Sequence, residues 1–287
     1  MGLRQLKGRW QCVVLGLGLA AASASAQQAP GSRAQVSTIA GSTSTRFEVP
    51  QVRLPNATVA KRINSWLLRY ARSTFTTVDS TASPQRQLYQ ASRECCYDKE
   101  EKEWMAAGDG LTATTYHVLL NQDYLLSLEF QHDYRGLSEL ETHHFTFDLR
   151  TGHLLALTDL VADAPAQLER RLAAAVSRRL HEELANVVAD SGDPTEVAHV
   201  ASLYGLDPWD TTLQHDLRFD TTAVDSGIPL EFAVRRDAVL LFHPIGMSRL
   251  DIPYLPDEKY VFPFSRLHPR GLLVPVAKAS VGQGKKK

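Results

Sequence analysis

Histidine and carboxylate side chains are the groups in this sequence best suited to metal or acid–base chemistry. His143 and His144 are consecutive in a segment that alternates apolar and polar residues like a β-strand. Neighbouring strand residues point to opposite faces of a sheet, so this pair cannot chelate one metal ion. The run at residues 181–183 (His-Glu-Glu) begins like a zinc-protease helix motif, but Ala185 occupies the position of the second histidine ligand. We therefore predict no metal and no other cofactor, with His143 as a core or edge histidine.

Nucleophilic and phosphate-binding motifs do not occur in the sequence. Gly246 and Ser248 begin a nucleophile elbow, but Leu250 stands where its second glycine is required. There is also no glycine-rich loop of the kind that cradles phosphate. Asp148 and Asp159 bracket the turn in TFDLRTG and resemble a carboxylate pair. Aspartate is commoner as a turn or helix cap, so we predict capping roles for both and no catalytic residue.

Trp104 and Trp209 are the candidate binding residues. Trp209 follows Asp207-Pro208 in a predicted loop, and Trp104 follows an acidic run. Large aromatic side chains that stay exposed can form the centre of a recognition surface, but the same side chains are also common in protein cores. The sequence leaves both interpretations open.

Cys95 and Cys96 are the only cysteines beyond the first 26 residues. Adjacent Cα atoms lie about 3.8 Å apart, below the range of about 4.4–6.8 Å that is usual for a disulfide. A bridge between them would be strained and easily reduced, although an oxidising compartment permits it. Charged neighbours predict an exposed loop. We expect a local vicinal disulfide or two surface thiols, and no redox-active site, because the C-x-x-C spacing is absent.

The N-terminus has the pattern of a secretory signal peptide. Arg4, Lys7 and Arg9 precede an uncharged apolar run at residues 13–22, and Ala-Ser-Ala follows, ending at Ala26. The apolar run is too short for a spanning helix, which needs about 20 residues. We predict cleavage after Ala26 and a periplasmic or secreted product without a membrane span.

Composition and charge restrict the class of protein. The chain has 287 residues, of which 44% are hydrophobic and 22% charged, which is ordinary for a globular protein. A net charge of −1 provides no overall field that would attract nucleic acid. Cleavage after Ala26 removes three basic residues and no acidic one, so the mature chain is more acidic. Net charge alone therefore favours a basic partner.

Three helices are predicted. Asn56 caps a helix that reaches about residue 75, and a long helix from about 163 to 189 has Pro165 in its first turn. A shorter helix begins at the cap Asp193, with Glu196 as its capping-box partner, and ends at Gly205.

Alternating apolar residues predict strands at 112–120, 124–134 and 141–149, a hairpin at 230–242 and a last strand at 260–264. Short turns between consecutive strands indicate antiparallel pairing, so we predict an α+β fold with helices packed on one face of the sheet. The predicted organisation is a signal peptide (1–26), a flexible lead with one edge strand (27–46), a single domain (47–278) and a disordered basic tail (279–287).

The order of these elements resembles a secreted family of unknown function. The segments that carry the resemblance are Ile63–Trp66, YLLSLEFQHDY at 124–134, TFDLRTGHLLALTDL at 146–160, LEFAVRRDAVLLFHP at 230–244 and IPY at 252–254. The family is found as the ectodomain of RsiV-type anti-sigma factors and beside polysaccharide deacetylases, and the resemblance covers roughly residues 46–267. The family usually has a Gly-Gly-Ala-His-like segment after the long strand, where this chain has Arg-Gly-Leu-Ser-Glu at 135–139.

The resemblance implies a non-catalytic binding or accessory module of the cell envelope. A secreted protein or a cell-wall glycan is the expected partner, because the sequence contains neither the anti-sigma transmembrane and sigma-binding segments nor the deacetylase metal motifs. The alternative is a hydrolase of cell-wall polymer whose acidic and histidine residues come together from distant positions.

Overall fold

The computed structural model describes residues 32–40, 46–72, 81–104, 111–134, 141–206, 231–248 and 250–283. Over these ranges the chain forms a mixed α+β fold of six helices and mostly antiparallel strands, which confirms the predicted fold class. The predicted signal peptide, Trp209 and the segment 135–139 lie outside the described residues.

The elements follow one another in an order close to the predicted one. The strands are β1 (Gln35–Ala40), β2 (Arg46–Arg53), β3 (Tyr97–Asp98), β4 (Glu103–Trp104), β5 (Leu111–Gln122), β6 (Leu125–Tyr134), β7 (Glu141–Asp148), β8 (Phe232–Val234), β9 (Ala238–Phe242) and β10 (Lys259–Pro263). The helices are α1 (Ala57–Arg72), α2 (Pro84–Cys96), α3 (Leu157–Leu160), α4 (Pro165–Asp190), α5 (Pro194–Leu203) and α6 (Leu273–Gln283).

The largest sheet has five strands in the order β1-β2-β5-β6-β7. Its neighbours pair antiparallel, except that β2 and β5 pair parallel over Arg46 with Ala113 and Phe47 with Thr114. Farther along β2, the side chain of Asn64 in α1 takes the place of a neighbouring strand. Its amide oxygen accepts the backbone N–H of Val52, and its amide nitrogen donates to the C=O of the same residue. Helix α1 is therefore attached directly to the backbone of β2.

Helix α1 packs on one face of this sheet, where a buried apolar core forms. The side chains that share the core include Ile63 and Leu67 of α1, Leu126, Leu128 and Phe130 of β6, and Phe147 of β7. Asn56 caps the helix as predicted, since its Oδ1 accepts hydrogen bonds from the backbone N–H groups of Thr58 and Val59.

The opposite face of the sheet is covered as well. A three-stranded sheet in the order β10-β9-β8 and helices α4, α5 and α6 enclose a second core with Leu125 of β6. The first half of β6, residues 125–128, is therefore buried on both faces of the sheet, although alternation of apolar and polar residues is typical of a strand with one buried face. Ser127 is fully buried there, bonds the hydroxyl of Thr146 and accepts the backbone N–H of Val234.

The shorter helix, α5, differs from its prediction in one contact. Asp193 caps it by accepting the N–H of Thr195, and Gly205 has the positive φ of 65° that ends a helix. Glu196, however, accepts a hydrogen bond from the hydroxyl of Tyr254 and is not the capping-box partner. A tertiary contact thus replaces the local one.

Regular structure extends beyond the predicted domain limits at both ends. The lead at 27–46 contains β1, which is the edge strand of the large sheet, so ordered structure begins before residue 47. The tail at 279–287 begins as the last turns of α6, which ends at Gln283. None of the helices in the described part of the chain is both long enough and apolar enough to cross a membrane.

Candidate functional site

Two histidines and a glutamate meet where β6 ends and β7 begins. In the ladder between these strands His132 lies opposite Glu141, and His143 lies opposite Phe130. All three side chains therefore point to the face that α1 covers. One ring nitrogen of each histidine and a carboxylate oxygen of Glu141 lie within 4.8 Å of one another.

Burial differs strongly among the three side chains. His132 is buried, whereas the side chains of His143 and Glu141 are 35% and 50% exposed. Nε2 of His143 and Oε1 of Glu141 are 3.0 Å apart, which is hydrogen-bond distance. The cluster therefore has a buried wall and an open side toward solvent.

The imidazole rings of His132 and His143 pack against aromatic side chains. The ring centroid of Tyr70 lies 5.8 Å from that of His132 and 5.9 Å from that of His143, and the two imidazole centroids are 5.4 Å apart. Tyr70 itself packs edge-on against Phe130 and Phe145. This packing restricts the rotation of the imidazoles, which is the condition for a preformed site.

The arrangement offers two imidazole nitrogens and one carboxylate. This donor set suits zinc and related divalent transition metals, whereas calcium and magnesium prefer sites made of oxygen ligands. Sequence analysis missed His132 and Glu141 because the cluster depends on which residues of β6 and β7 face each other. The i, i+2 spacing of Glu141 and His143 was the available local signal.

A second cluster lies on the opposite face of the same strands. The imidazole of His144 is fully buried, its Nδ1 lies 2.8 Å from Oε1 of Glu231, and its Nε2 lies 3.1 Å from Oε2 of Glu129. The carboxylate of Glu231 also accepts the backbone N–H of His144. The ring stacks on Phe242 of β9, with centroids 3.8 Å apart.

Polar contacts continue from this histidine across the sheet to β5. Gln131 donates to Oε1 of Glu129, and its own carbonyl oxygen lies 3.1 Å from Nε2 of His117, which is exposed. Both ring nitrogens of His144 lie within hydrogen-bond distance of a carboxylate, one from each sheet region. This cluster links the two sheets, and we interpret it as structural.

A serine, an aspartate and a histidine also meet at the surface, near α5. Ser248 donates to Oδ2 of Asp251, and Nε2 of His199 lies 2.9 Å from Oδ1 of the same carboxylate. The hydrogen bonds from Ser248 and then His199 lower the pKa of Asp251. The aspartate lies between the serine and the histidine, so His199 is not placed to accept the proton of Ser248. In a catalytic triad the histidine lies between the other two residues, so these three residues do not form one.

A groove of about 600 Å³ runs between the β1–β2 hairpin, α1 and the start of α2. Its aliphatic lining includes Ile39, Val49, Leu54 and Leu68. The charged residues of the lining are both basic, Arg53 and Lys61, and both are exposed. The groove is therefore apolar inside and positive at its edge.

The other candidates from the sequence have separate positions. Trp104 is the last residue of β4. Cys95 and Cys96 end helix α2, so the prediction of a loop at these two residues was wrong. Neither tryptophan belongs to the described lining of the groove, and their role in binding stays a prediction.

The two capping predictions are confirmed by hydrogen bonds. Asp148 accepts the backbone N–H and side-chain Nε of Arg150. Burial acts to raise the pKa of Asp148, but these contacts with Arg150 outweigh it and hold the pKa below its usual value. Asp159 accepts the N–H of Ala156 at the start of α3. These carboxylates stabilise local turns and do not form a pair.

Comparison with known proteins found low similarity to solved structures. No family model matches the sequence, and no curated protein matches it. A DUF3298 family protein from Pseudomonas aeruginosa has 15% sequence identity and a TM-score of 0.41, covering 84% of this chain and 93% of that chain. A DUF3298 member from Bacteroides fragilis has 12% identity and a TM-score of 0.42, covering 85% and 95%. Both of these proteins belong to a family of unknown function.

Proposed function

We propose that this chain is an exported accessory domain of the cell envelope that binds a partner and does not turn over a substrate. Export is supported by the basic start, the short apolar run and the cleavage pattern ending at Ala26. The resemblance to RsiV-type ectodomains and deacetylase accessory domains supports the same location, because those domains lie outside the membrane.

The groove beside α1 is the observation that carries the binding proposal. Aliphatic side chains form its interior and two basic residues, Arg53 and Lys61, stand at its edge. A concave, largely apolar surface with a few charged groups is the usual form of a recognition site. Basic residues of this kind bind and orient an anion.

Local charge favours an acidic partner, against the expectation from net charge. Helix α1 contains no acidic residue, and its Lys61, Arg62 and Arg69 are exposed. Neither α1 nor the described lining of the groove contains a carboxylate, so the charged side chains of both are all basic. Complementary charge both attracts a partner and fixes its orientation.

We propose that an acidic segment of another exported protein occupies the groove. An extended peptide can place aliphatic side chains on the groove floor while its carboxylates reach Arg53 and Lys61. Binding of a sugar commonly uses flat aromatic faces, and the described lining of the groove is aliphatic and polar instead. A cell-wall glycan is therefore the less favoured ligand.

Retention on immobilised poly-L-glutamate tests the proposal, with isolated peptidoglycan as the second matrix. We expect saturable retention of the exported chain on polyglutamate that decreases as salt shortens the range of electrostatic attraction. Arg53→Glu and Lys61→Glu should each weaken this retention about tenfold, equivalent to about 1.4 kcal/mol. Arg178→Glu changes the net charge equally on the exposed side of α4 and should leave retention unchanged.

Three outcomes would contradict the proposal. Equal weakening by Arg178→Glu would show that only net charge matters and that the groove has no special role. Release of soluble fragments from peptidoglycan, with a bell-shaped pH profile, would instead favour the hydrolase alternative. Retention on peptidoglycan alone would identify a glycan as the ligand and overturn the choice of a protein segment.

A further inference from the structure

We propose that His132, Glu141 and His143 form a binding site for one divalent transition-metal ion, with Zn²⁺ as the expected ion. The proposal is independent of the groove, because none of these three residues belongs to the groove lining. It rests on the meeting of three ligand atoms within 4.8 Å at the shared end of β6 and β7.

The distances are close to those of a zinc site. Ligand atoms about 2.0–2.2 Å from a tetrahedral zinc ion lie about 3.3–3.6 Å from one another. Nε2 of His143 and Oε1 of Glu141, at 3.0 Å, already meet this requirement approximately. No two ligand atoms of the cluster are more than 4.8 Å apart, so they need to approach one another by at most about 1.5 Å. Small side-chain rotations of the half-exposed Glu141 and the part-exposed His143 can supply this approach.

The backbone places the three residues side by side on one face of the sheet before any ion binds. His132 and Glu141 are directly paired residues of adjacent strands, and His143 lies two residues beyond Glu141 on the same face. Sites built on regular strands hold their ligands more accurately than sites on loops. Tyr70 packs against both imidazoles and limits the rotations open to them.

The donor set also determines what the ion would do. Three protein ligands leave a fourth position of a tetrahedral zinc ion open, and a water molecule or a partner side chain can fill it. The open side of the cluster is the side of Glu141, which is half exposed. The site is therefore suited to an ion that bridges this domain to a second molecule.

Zinc titration by calorimetry tests the site. The exported chain is purified without a histidine tag, freed of metal with a chelator and titrated with Zn²⁺. We expect one high-affinity ion per chain. Glu141→Gln and His143→Ala each remove one ligand that is at least part-exposed. Both variants should therefore keep the fold and weaken zinc affinity by at least about tenfold. Thermal melts of both variants check that folding is retained.

His117→Ala is the matched control, since it removes an exposed histidine from the opposite face of the same sheet. It should bind zinc like the unmodified chain. Co²⁺ provides a second measurement, because its visible absorption reports imidazole coordination and should disappear in His143→Ala. Failure of the unmodified chain to bind zinc more tightly than millimolar, or equal affinities of all three variants, would overturn the site. Arg53→Glu should bind zinc normally, which separates this result from the groove experiment.

Discussion

His143 and His144 follow each other in β7, and their imidazole rings belong to two different clusters on opposite faces of the five-stranded sheet. His143 lies with Glu141 at a partly exposed site, whereas His144 is enclosed between two glutamates and stacks on Phe242 of the smaller sheet. Because the two rings share one stretch of backbone, the buried contacts of His144 hold β7 in position for the ligands on its other face.

The first prediction concerns the stability that His144 provides. His144→Ala leaves Glu129 and Glu231 without the imidazole between them and opens a cavity beside Phe242. We expect the free energy of unfolding to fall by about 2–4 kcal/mol, measured by urea denaturation. His117→Ala, at the exposed end of the same hydrogen-bonded chain, should change it by less than about 0.5 kcal/mol. Equal effects of the two variants would show that His144 is not a special link between the sheets.

Much of the fold could be predicted because its signals are local. Alternation in β6 and the hairpin at Arg236-Asp237 indicate antiparallel strands, and Asn56 and Asp193 mark helix starts by short-range hydrogen bonds. The parallel pairing of β2 with β5 has no local signal, because it joins segments that α1 and α2 separate.

Much less of the candidate site could be predicted from the sequence. His143 and His144 were correctly assigned to opposite faces, but the partners of each histidine come from other strands. His132 is buried at the end of an apolar stripe, and Glu231 precedes β8, so their positions follow only from strand register and the packing of the two sheets. An alternation pattern determines the face of a residue and leaves its cross-strand neighbour undetermined.

The second prediction concerns Gly152, in the turn after β7. Its φ is 74°, and a Cβ at this position would lie 3.0 Å from the backbone oxygen of Val59 in α1. Gly152→Ala combines backbone strain with a clash against α1. We therefore expect the free energy of unfolding, measured by thermal or urea denaturation, to fall by about 2–3 kcal/mol.

Gly192 is the matched control for this glycine. It also has a positive φ, of 62°, but a Cβ there would meet nothing within 4 Å. Gly192→Ala should therefore lower the free energy of unfolding by about 1 kcal/mol, which is the cost of a positive φ for a residue with a Cβ. If both substitutions cost the same, the approach of the turn to α1 does not contribute to stability.

The third prediction concerns Cys95 and Cys96. Both are the last residues of α2, so their backbone is helical, and adjacent Cα atoms at about 3.8 Å are closer than is usual for a disulfide. A bridge would require the helix end to unwind, so of the two sequence-based alternatives we favour two thiols. Mass spectrometry of the unreduced protein after alkylation should show both cysteines modified. A mass two hydrogens lower, with both cysteines unmodified, would establish the vicinal disulfide instead.

Asp163 is the basis of the last prediction, because its side chain is fully buried between α4 and the segment before α6. Its carboxylate accepts the backbone N–H of His268 at 2.7 Å, lies 3.2 Å from the ring Nδ1 of the same residue, and lies 3.2 Å from Nη1 of Arg171. Burial acts to raise the pKa of Asp163, but the bonds from His268 and the charge of Arg171 outweigh it. The pKa therefore lies below its ordinary value.

A carboxylate whose pKa is lowered by folding stabilises the folded state when it is ionised. This contribution is complete above the unfolded pKa of about 3.9 and is lost as the pH falls through the lower folded value. Asp163→Asn should therefore lower the free energy of unfolding by about 1–3 kcal/mol at pH 7 and by progressively less below about pH 4. Urea denaturation at a series of pH values measures the difference, and Asp190→Asn, which removes an exposed carboxylate at the end of α4, is the control. A difference that stays constant down to about pH 2 would mean that the hydrogen-bond geometry of Asp163 matters and its charge does not.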